Sequence, residues 1–302
     1  MSLIVATEKL TKKYGDRAVV QDLDLRIPEG CVYGFLGPNG SGKSTTMKML
    51  LSLIRPTSGE AHVLGRPMDR ATRRELLGQI GSLIESPPGY AHLTGAENMR
   101  IVQRLLDLDD QHIDFAVRTV RMQDQMNKRV REFSLGMKQR LGIAMALARQ
   151  PKLLILDEPT NGLDPAGIEE IRELLRRLAD GGVTVMVSSH LLGEIDKTAT
   201  VLGILSQGRM IFQGSRDELF SAATPDLLID CSDPHRAQGA LARAHGCQLE
   251  NSTLRLTGIE DDRAVAGVVA ALVGESIGVH GVRRDEQTLE SVFMGLTAGG
   301  GL

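Results

Sequence analysis

Nine residues constrain what this chain can build. Gly37-Pro38-Asn39-Gly40-Ser41-Gly42-Lys43-Ser44-Thr45 fit the spacing G-x-x-x-x-G-K-S. Before them, Cys31 to Leu36 is a short apolar run, the pattern of a strand buried on both faces. After them, Met47, Leu50, Leu51 and Ile54 recur at helical spacing. A strand, a glycine-rich loop and a helix in that order form a phosphate cradle. Glycine lets the backbone wrap closely, so that successive N–H groups point inward. The helix N-terminus adds the positive end of its dipole. Asn39, Gly40, Ser41, Gly42 and Thr45 would line the phosphates. Lys43 would neutralise the β- and γ-phosphates, and Ser44 would offer its hydroxyl to Mg²⁺.

A second segment complements the first. Leu153-Leu154-Ile155-Leu156 is a buried strand ending in Asp157-Glu158. Its carboxyl end is the edge where open α/β sheets place their ligands. There Asp157 would hold Mg²⁺ and Glu158 would orient and polarise the attacking water as general base. Taken alone, an Asp-Glu pair in this position is equally a strand cap. The phosphate loop upstream favours the catalytic reading.

The rest of the chain divides by pattern. Residues 1 to 85 read as strands and turns with one helix, and Leu23, Leu25 and Ile27 alternate like a half-buried strand. After Pro87-Pro88-Gly89 the middle third, about 86–150, reads as helical throughout. Thr94 and Glu97 have the capping-box spacing and open a helix to about Leu106. Further helices cover roughly Asp110 to Met122 and the stretch marked by Leu141, Ala144, Met145 and Ala148. From Pro151, strands Leu153 to Leu156 and Val183 to Val187 flank an amphipathic helix, Ile168 to Leu178. That alternation implies a parallel sheet covered on both faces.

Composition breaks near residue 219. From there to Leu302 the chain has no lysine, and 11 acidic residues face 6 arginines. This part reads strand, helix, hairpin at Asn251-Ser252, helix, strand, short helix. The expected domains are therefore 1–218 and a small α+β domain, 219–302. The 302-residue chain carries a net charge of −3, but the lysine-free part contributes −5, leaving the larger domain at +2. A whole-protein electrostatic grip on nucleic acid is not expected from this balance. Aromatics are 3% of residues, which disfavours a base-stacking surface. No apolar run approaches the roughly 20 residues of a membrane helix, and Met1 to Leu10 does not read as a secretory signal. Cys31, Cys231 and Cys247 are too scattered for a metal cluster and read as free thiols.

Further motifs, in a fixed order, carry a resemblance. Phe133-Ser134-Leu135-Gly136-Met137 lies about 20 residues before the Asp-Glu strand. Asn161-Gly162-Leu163-Asp164 and His190 follow that strand. With Tyr14 and the phosphate loop, these motifs resemble the nucleotide-binding subunit of an ABC transporter over residues 1 to about 215. The resemblance implies the P-loop NTPase fold in its ABC form: a RecA-like parallel sheet core with a helical subdomain. It also assigns roles. Tyr14 stacks on the adenine of ATP, Ser134 and Gly136 contact the γ-phosphate bound by a second subunit, Asp164 belongs to the D-loop and to the nucleotide-binding set, and His190 is the switch histidine. Each has a plainer reading: Tyr14 a packed strand-end aromatic, Ser134 a helix cap, His190 a satisfied loop histidine.

Two positions depart from the family pattern. In the signature, Leu135 replaces the first glycine and Met137 a glutamine. In Ile84-Glu85-Ser86-Pro87, Glu85 stands where most relatives carry glutamine. A carboxylate there would bind the metal more strongly. Its alternative is an ordinary loop carboxylate. This stretch and Gly136 to Ala144 resemble the bacitracin-resistance and lantibiotic-immunity branch, and Leu289-Glu290-Ser291-Val292-Phe293-Met294 resembles a motif of antibiotic-export ATPases. The resemblance implies an ATPase that forms a head-to-tail homodimer around two MgATP. It drives a separate membrane permease from the cytoplasmic face, exporting an antibiotic, peptide or lipid-like substrate. The alternative is a soluble ABC ATPase acting on DNA or ribosomes. It is disfavoured because the chain has one cassette, no heptad run and an acidic C-terminal part.

Overall fold

The computed structural model describes residues 2–85, 87–189, 198–221, 226–242, 246–259, 261–285 and Val292. His190, Ser86 and the 289–294 motif except Val292 lie outside the described residues. The chain separates into two units, Met1–Arg216 and Asp217–Ala298.

The first unit begins with β1 (Leu3–Tyr14), β2 (Arg17–Leu23), β3 (Arg26–Pro28) and β4 (Val32–Leu36), then α1 (Lys43–Leu50). Next come β5 (Ser58–Val63), β6 (Arg66–Pro67), α2 (Arg73–Leu77) and β7 (Ile80–Leu83). Helices α3 (Gly95–Leu106), α4 (Asp110–Thr119) and α5 (Leu135–Leu147) follow. The unit closes with β8 (Leu153–Asp157), α6 (Pro165–Asp180), β9 (Thr184–Ser189), β10 (Val201–Ser206) and β11 (Arg209–Ser215).

These strands make two sheets. The larger runs β11-β10-β4-β9-β8-β7, with β10, β4, β9, β8 and β7 parallel and β11 antiparallel at one edge. Strands β4 and β8 are buried at every position, which is why each is an uninterrupted apolar run in the sequence. β9 lies between them, so the carboxyl ends of three strands distant in sequence sit side by side.

The smaller sheet, order β2-β1-β5-β6 with β3 also on β1, is antiparallel. Sequence reading does not anticipate it. Nor does it anticipate that the alternating stretch Leu23 to Ile27 is two strands, not one. The break is built by Thr7, whose hydroxyl donates to Leu23 O and accepts from Leu25 N. It occupies backbone groups that a continuous ladder would use, and the chain passes from β2 to β3 at this point.

The helical stretch forms as its caps dictate. Thr94 accepts from Glu97 N and Glu97 returns a carboxylate to Thr94 N, closing the capping box ahead of α3. Asp109 caps α4, which ends at Thr119, earlier than the expected Met122. α5 lies on β7, where Gly81 is necessary: a Cβ there would sit 2.3 Å from Ala146 O.

In the second unit, β12 (Leu227–Cys231), β13 (Gly246–Glu250), β14 (Thr253–Thr257) and β15 (Val279–Arg284) form an antiparallel sheet of order β13-β14-β12-β15. With helices Pro234–Leu241 and Asp262–Gly274 this is a split βαβ arrangement. The hairpin turn Asn251-Ser252 has positive φ at both residues (46° and 71°), as a two-residue turn between twisted strands requires. Its own core joins Leu227, Ile229, Leu254, Leu256, Val268 and Leu272. All three cysteines are free; Cys31 and Cys231 are buried and Cys247 is half-buried. Among the described residues no helix is long and apolar enough to cross a membrane.

Candidate functional site

The loop 37–42 joins β4 to α1 and is held from two sides. Gly208 N donates to Ser41 O, and Ser41 N to Pro38 O. Gly42, the residue capping α1, has φ 108°, and a Cβ on it would lie 2.7 Å from Val19 O on β2. A Cβ on Gly37 would lie 2.3 Å from Leu205 O. The smaller sheet and β10 thus press directly against the loop, and only glycine fits. Asn39 and Gly40 are exposed at the loop tip, and Ser44 and Thr45 are half-buried in the first turn of α1.

Lys43 is 5% exposed and folds back over the loop, donating to Gly37 O (2.7 Å) and Pro38 O (3.3 Å). Burial lowers its pKa from the ordinary lysine value, and the carboxylates of Glu158 and Asp157 oppose that shift. The Ser41 hydroxyl is buried with no hydrogen-bond partner among the described residues. A buried orphan hydroxyl, a cationic lysine and a cradle closed to any Cβ fit a chain of phosphates.

Glu158 lies 3.9 Å from Lys43. It is the first residue past β8 and has φ 47°, a left-handed conformation uncommon outside glycine. One side chain holds both carboxylate-bearing residues. Ser188 Oγ, fully buried on β9, donates to Asp157 Oδ1 (2.5 Å) and accepts from Glu158 N (2.9 Å). The β8–β9 register pairs Asp157 with Ser188, which is why the hydroxyl reaches both. Sequence reading missed Ser188. The signal was present: two hydroxyl residues, Ser188 and Ser189, follow the apolar run Val185 to Val187 at the end of a strand.

Glu85 lies just past β7, exposed and also left-handed (φ 69°). Its carboxylate forms an ion pair with Lys48 of α1. Tyr14 ends β1 and is 54% exposed, with Lys12 Nζ 5.0 Å from the ring centroid.

Ser134, Gly136 and Asp164 gather elsewhere. Ser134 caps α5, accepting from Met137 N (3.2 Å), and Asp164 caps α6, accepting from Gly167 N (3.2 Å). Both line an open pocket of about 640 Å³ with Leu135, Gly136, Gly162 and Leu163. Neither Lys43 nor the Asp157-Glu158 pair lines it. Leu135 crosses over to Gly162: a Cβ there would lie 2.8 Å from Leu135 Cδ2. The leucine in the signature therefore packs on the loop ahead of α6.

The chain matches the family model described as ABC transporter over residues 20–161. It is 39% identical to the bacitracin transport ATP-binding protein BcrA of Bacillus licheniformis over 306 residues, 99% of either chain. It is 43% identical to the lantibiotic transport ATP-binding protein SrtF of Streptococcus pyogenes over 210 residues, 70% of this chain and 90% of that one. Among solved structures, an ATP-binding cassette in a dimeric post-hydrolysis state bound to ADP and Pi superposes with a TM-score of 0.62. It has 25% identity and covers 70% of this chain and 98% of that one.

Proposed function

The chain belongs to the ABC transporter ATP-binding proteins, and from that membership we propose that two copies close head to tail around two ATP molecules to drive a membrane permease. The observation that carries this reading is the separation of two half-sites on one chain. One face bears Lys43 and Glu158, 3.9 Å apart. A different pocket bears the capped helix start Ser134 to Gly136 and Asp164. A single chain does not bring them together. A rotated second copy would present the N-terminus of α5, with its backbone N–H groups and dipole, to the γ-phosphate held by the first.

Each residue then has a task. The backbone of residues 39–45 and Lys43 bind the phosphates, and Tyr14 stacks on adenine. Ser44 and Asp157 would hold Mg²⁺, which would supply neutralisation of the negative charge on the phosphoryl oxygens. Glu158 accepts the proton of the water that attacks the γ-phosphorus as the bond to the bridging oxygen breaks. Ser188 fixes the Asp157 rotamer and the Glu158 backbone. His190, the residue after β9, completes the proposed set. The site lies at the cytoplasmic face through the permease. An antibiotic or peptide is the proposed cargo, as the names of the bacitracin and lantibiotic relatives suggest. The same relatives favour transport over an action on DNA or ribosomes.

Replacing Glu158 with Gln tests the assignment. ATP hydrolysis should fall by at least a hundredfold, ATP binding should persist, and an ATP-dependent dimer should accumulate in size-exclusion chromatography. Undiminished turnover would remove Glu158 from the role of base. A variant that stays monomeric with ATP, while still binding it, would overturn the head-to-tail dimer.

A further inference from the structure

The Lys48–Glu85 ion pair has no part in the scheme above, yet it ties α1, which carries Ser44, to the loop after β7. Lys48 is four residues beyond Ser44 in α1. That spacing puts both on one face of the helix, about 6 Å apart along its axis. Glu85 comes from the opposite side. It is two residues past Leu83, which pairs with Leu156 across the parallel β7–β8 ladder, so it stands level with Glu158 at the same sheet edge. Each glutamate of this edge therefore has its own lysine: Glu158 with Lys43, Glu85 with Lys48.

We propose that Lys48 is a positioning residue for Glu85: its ammonium draws the Glu85 carboxylate along α1 and away from the metal position beside Ser44, so that the divalent cation and Lys48 compete for one carboxylate. The side chains are 29% and 66% exposed, so the pair is weak and a cation that arrives with nucleotide displaces it. Glu85 introduces a negative charge near the triphosphate, and Lys48 balances it until the cation does. The inference rests on the reading of Glu85 as a residue near the metal.

The test uses the full chain with Mn²⁺ as probe and adenylyl imidodiphosphate as nucleotide. Free Mn²⁺ is measured by electron paramagnetic resonance, and thermal melting confirms that each variant is folded. Glu85→Gln should weaken Mn²⁺ binding. Lys48→Met should tighten it by up to about fivefold, the range of an exposed ion pair, and Lys48→Arg should bind as the unaltered chain does. In the Glu85→Gln background, Lys48→Met should have no effect, because the carboxylate it restrains is gone. If Glu85→Gln leaves Mn²⁺ affinity unchanged, the metal-proximal reading fails and the inference with it. If Glu85→Gln weakens binding but Lys48→Met does not tighten it, or tightens it equally without Glu85, the role of Lys48 is overturned and the reading of Glu85 stands.

Discussion

Replacing Ser188 with Ala removes one oxygen from the interior and should be felt in both stability and chemistry. The hydroxyl has no exposure and makes two hydrogen bonds, one to a carboxylate that is itself 7% exposed. A bond to a charged acceptor contributes about 2 kcal/mol and one from a backbone N–H about 1 kcal/mol. Alanine leaves both partners in a site too small to gain much water, so the expected loss is about 3 kcal/mol. Urea unfolding followed by far-ultraviolet circular dichroism would report it. With a slope of about 3 kcal/mol/M, the midpoint of the first unit's transition should fall by about 1 M. A cycle with Asp157→Asn separates the pair from general packing. The two changes should be non-additive by about 1 kcal/mol or more, because they share one bond. Hydrolysis should fall in Ser188→Ala by more than the folded fraction accounts for, since the Glu158 backbone loses its tether. A midpoint shift below about 0.2 M, or strict additivity with Asp157→Asn, would refute the argument.

Gly42→Ala should weaken binding of a fluorescent ATP analogue by tenfold or more, because its Cβ meets Val19 O at 2.7 Å in a φ of 108°; unaltered affinity would show that β2 does not brace the loop. The Thr94 N–H and hydroxyl hold the Glu97 carboxyl below its usual range. The folded pKa is thus below the unfolded one, so this stabilisation is present above about pH 4.3 and is lost as pH falls through the folded value. Glu97→Gln should flatten that part of the acid unfolding curve, and a parallel curve would count against the capping box as its source. Burial pushes the Cys31 thiol up to about 11, so in the native chain at pH 8 the half-buried Cys247 should be alkylated well before Cys31, as peptide mass mapping would reveal. Gly162→Ala should force Leu135 off its contact, and the expected result is a weaker ATP-dependent dimer with unchanged monomer binding of ATP.

How far the residues alone carried these conclusions depends on the range over which each feature is encoded. The phosphate loop is local: nine consecutive residues supply the turn, the donors and the charge, and β4 and α1 on either side are single-period patterns. The capping box at Thr94 and Glu97 and the turn at Asn251-Ser252 are local in the same sense. The Asp157-Glu158 pair was legible only together with the phosphate loop upstream, since alone it reads equally as a strand cap. The antiparallel sheet was not legible, since β1 pairs with β5 across tens of residues, Val5 opposite Val63, and their side chains alternate no more clearly than a loop's.

Sequence by itself determined the groups on offer: a glycine-rich loop with its lysine, two acids at the end of a buried strand, and a capped helix start. Tertiary structure decided which of these meet. Ordering β4, β9 and β8 as neighbours set Lys43 against Glu158 and slid Ser188 beneath both acids. Packing α1 beside the end of β7 gave Glu85 a lysine. Folding α5 and α6 onto another face kept Ser134 and Asp164 apart from the phosphate loop. The reason is physical. A strand's burial can be read from its own residues, but its neighbours and register are fixed by pairings among distant segments, and no single segment records its partner.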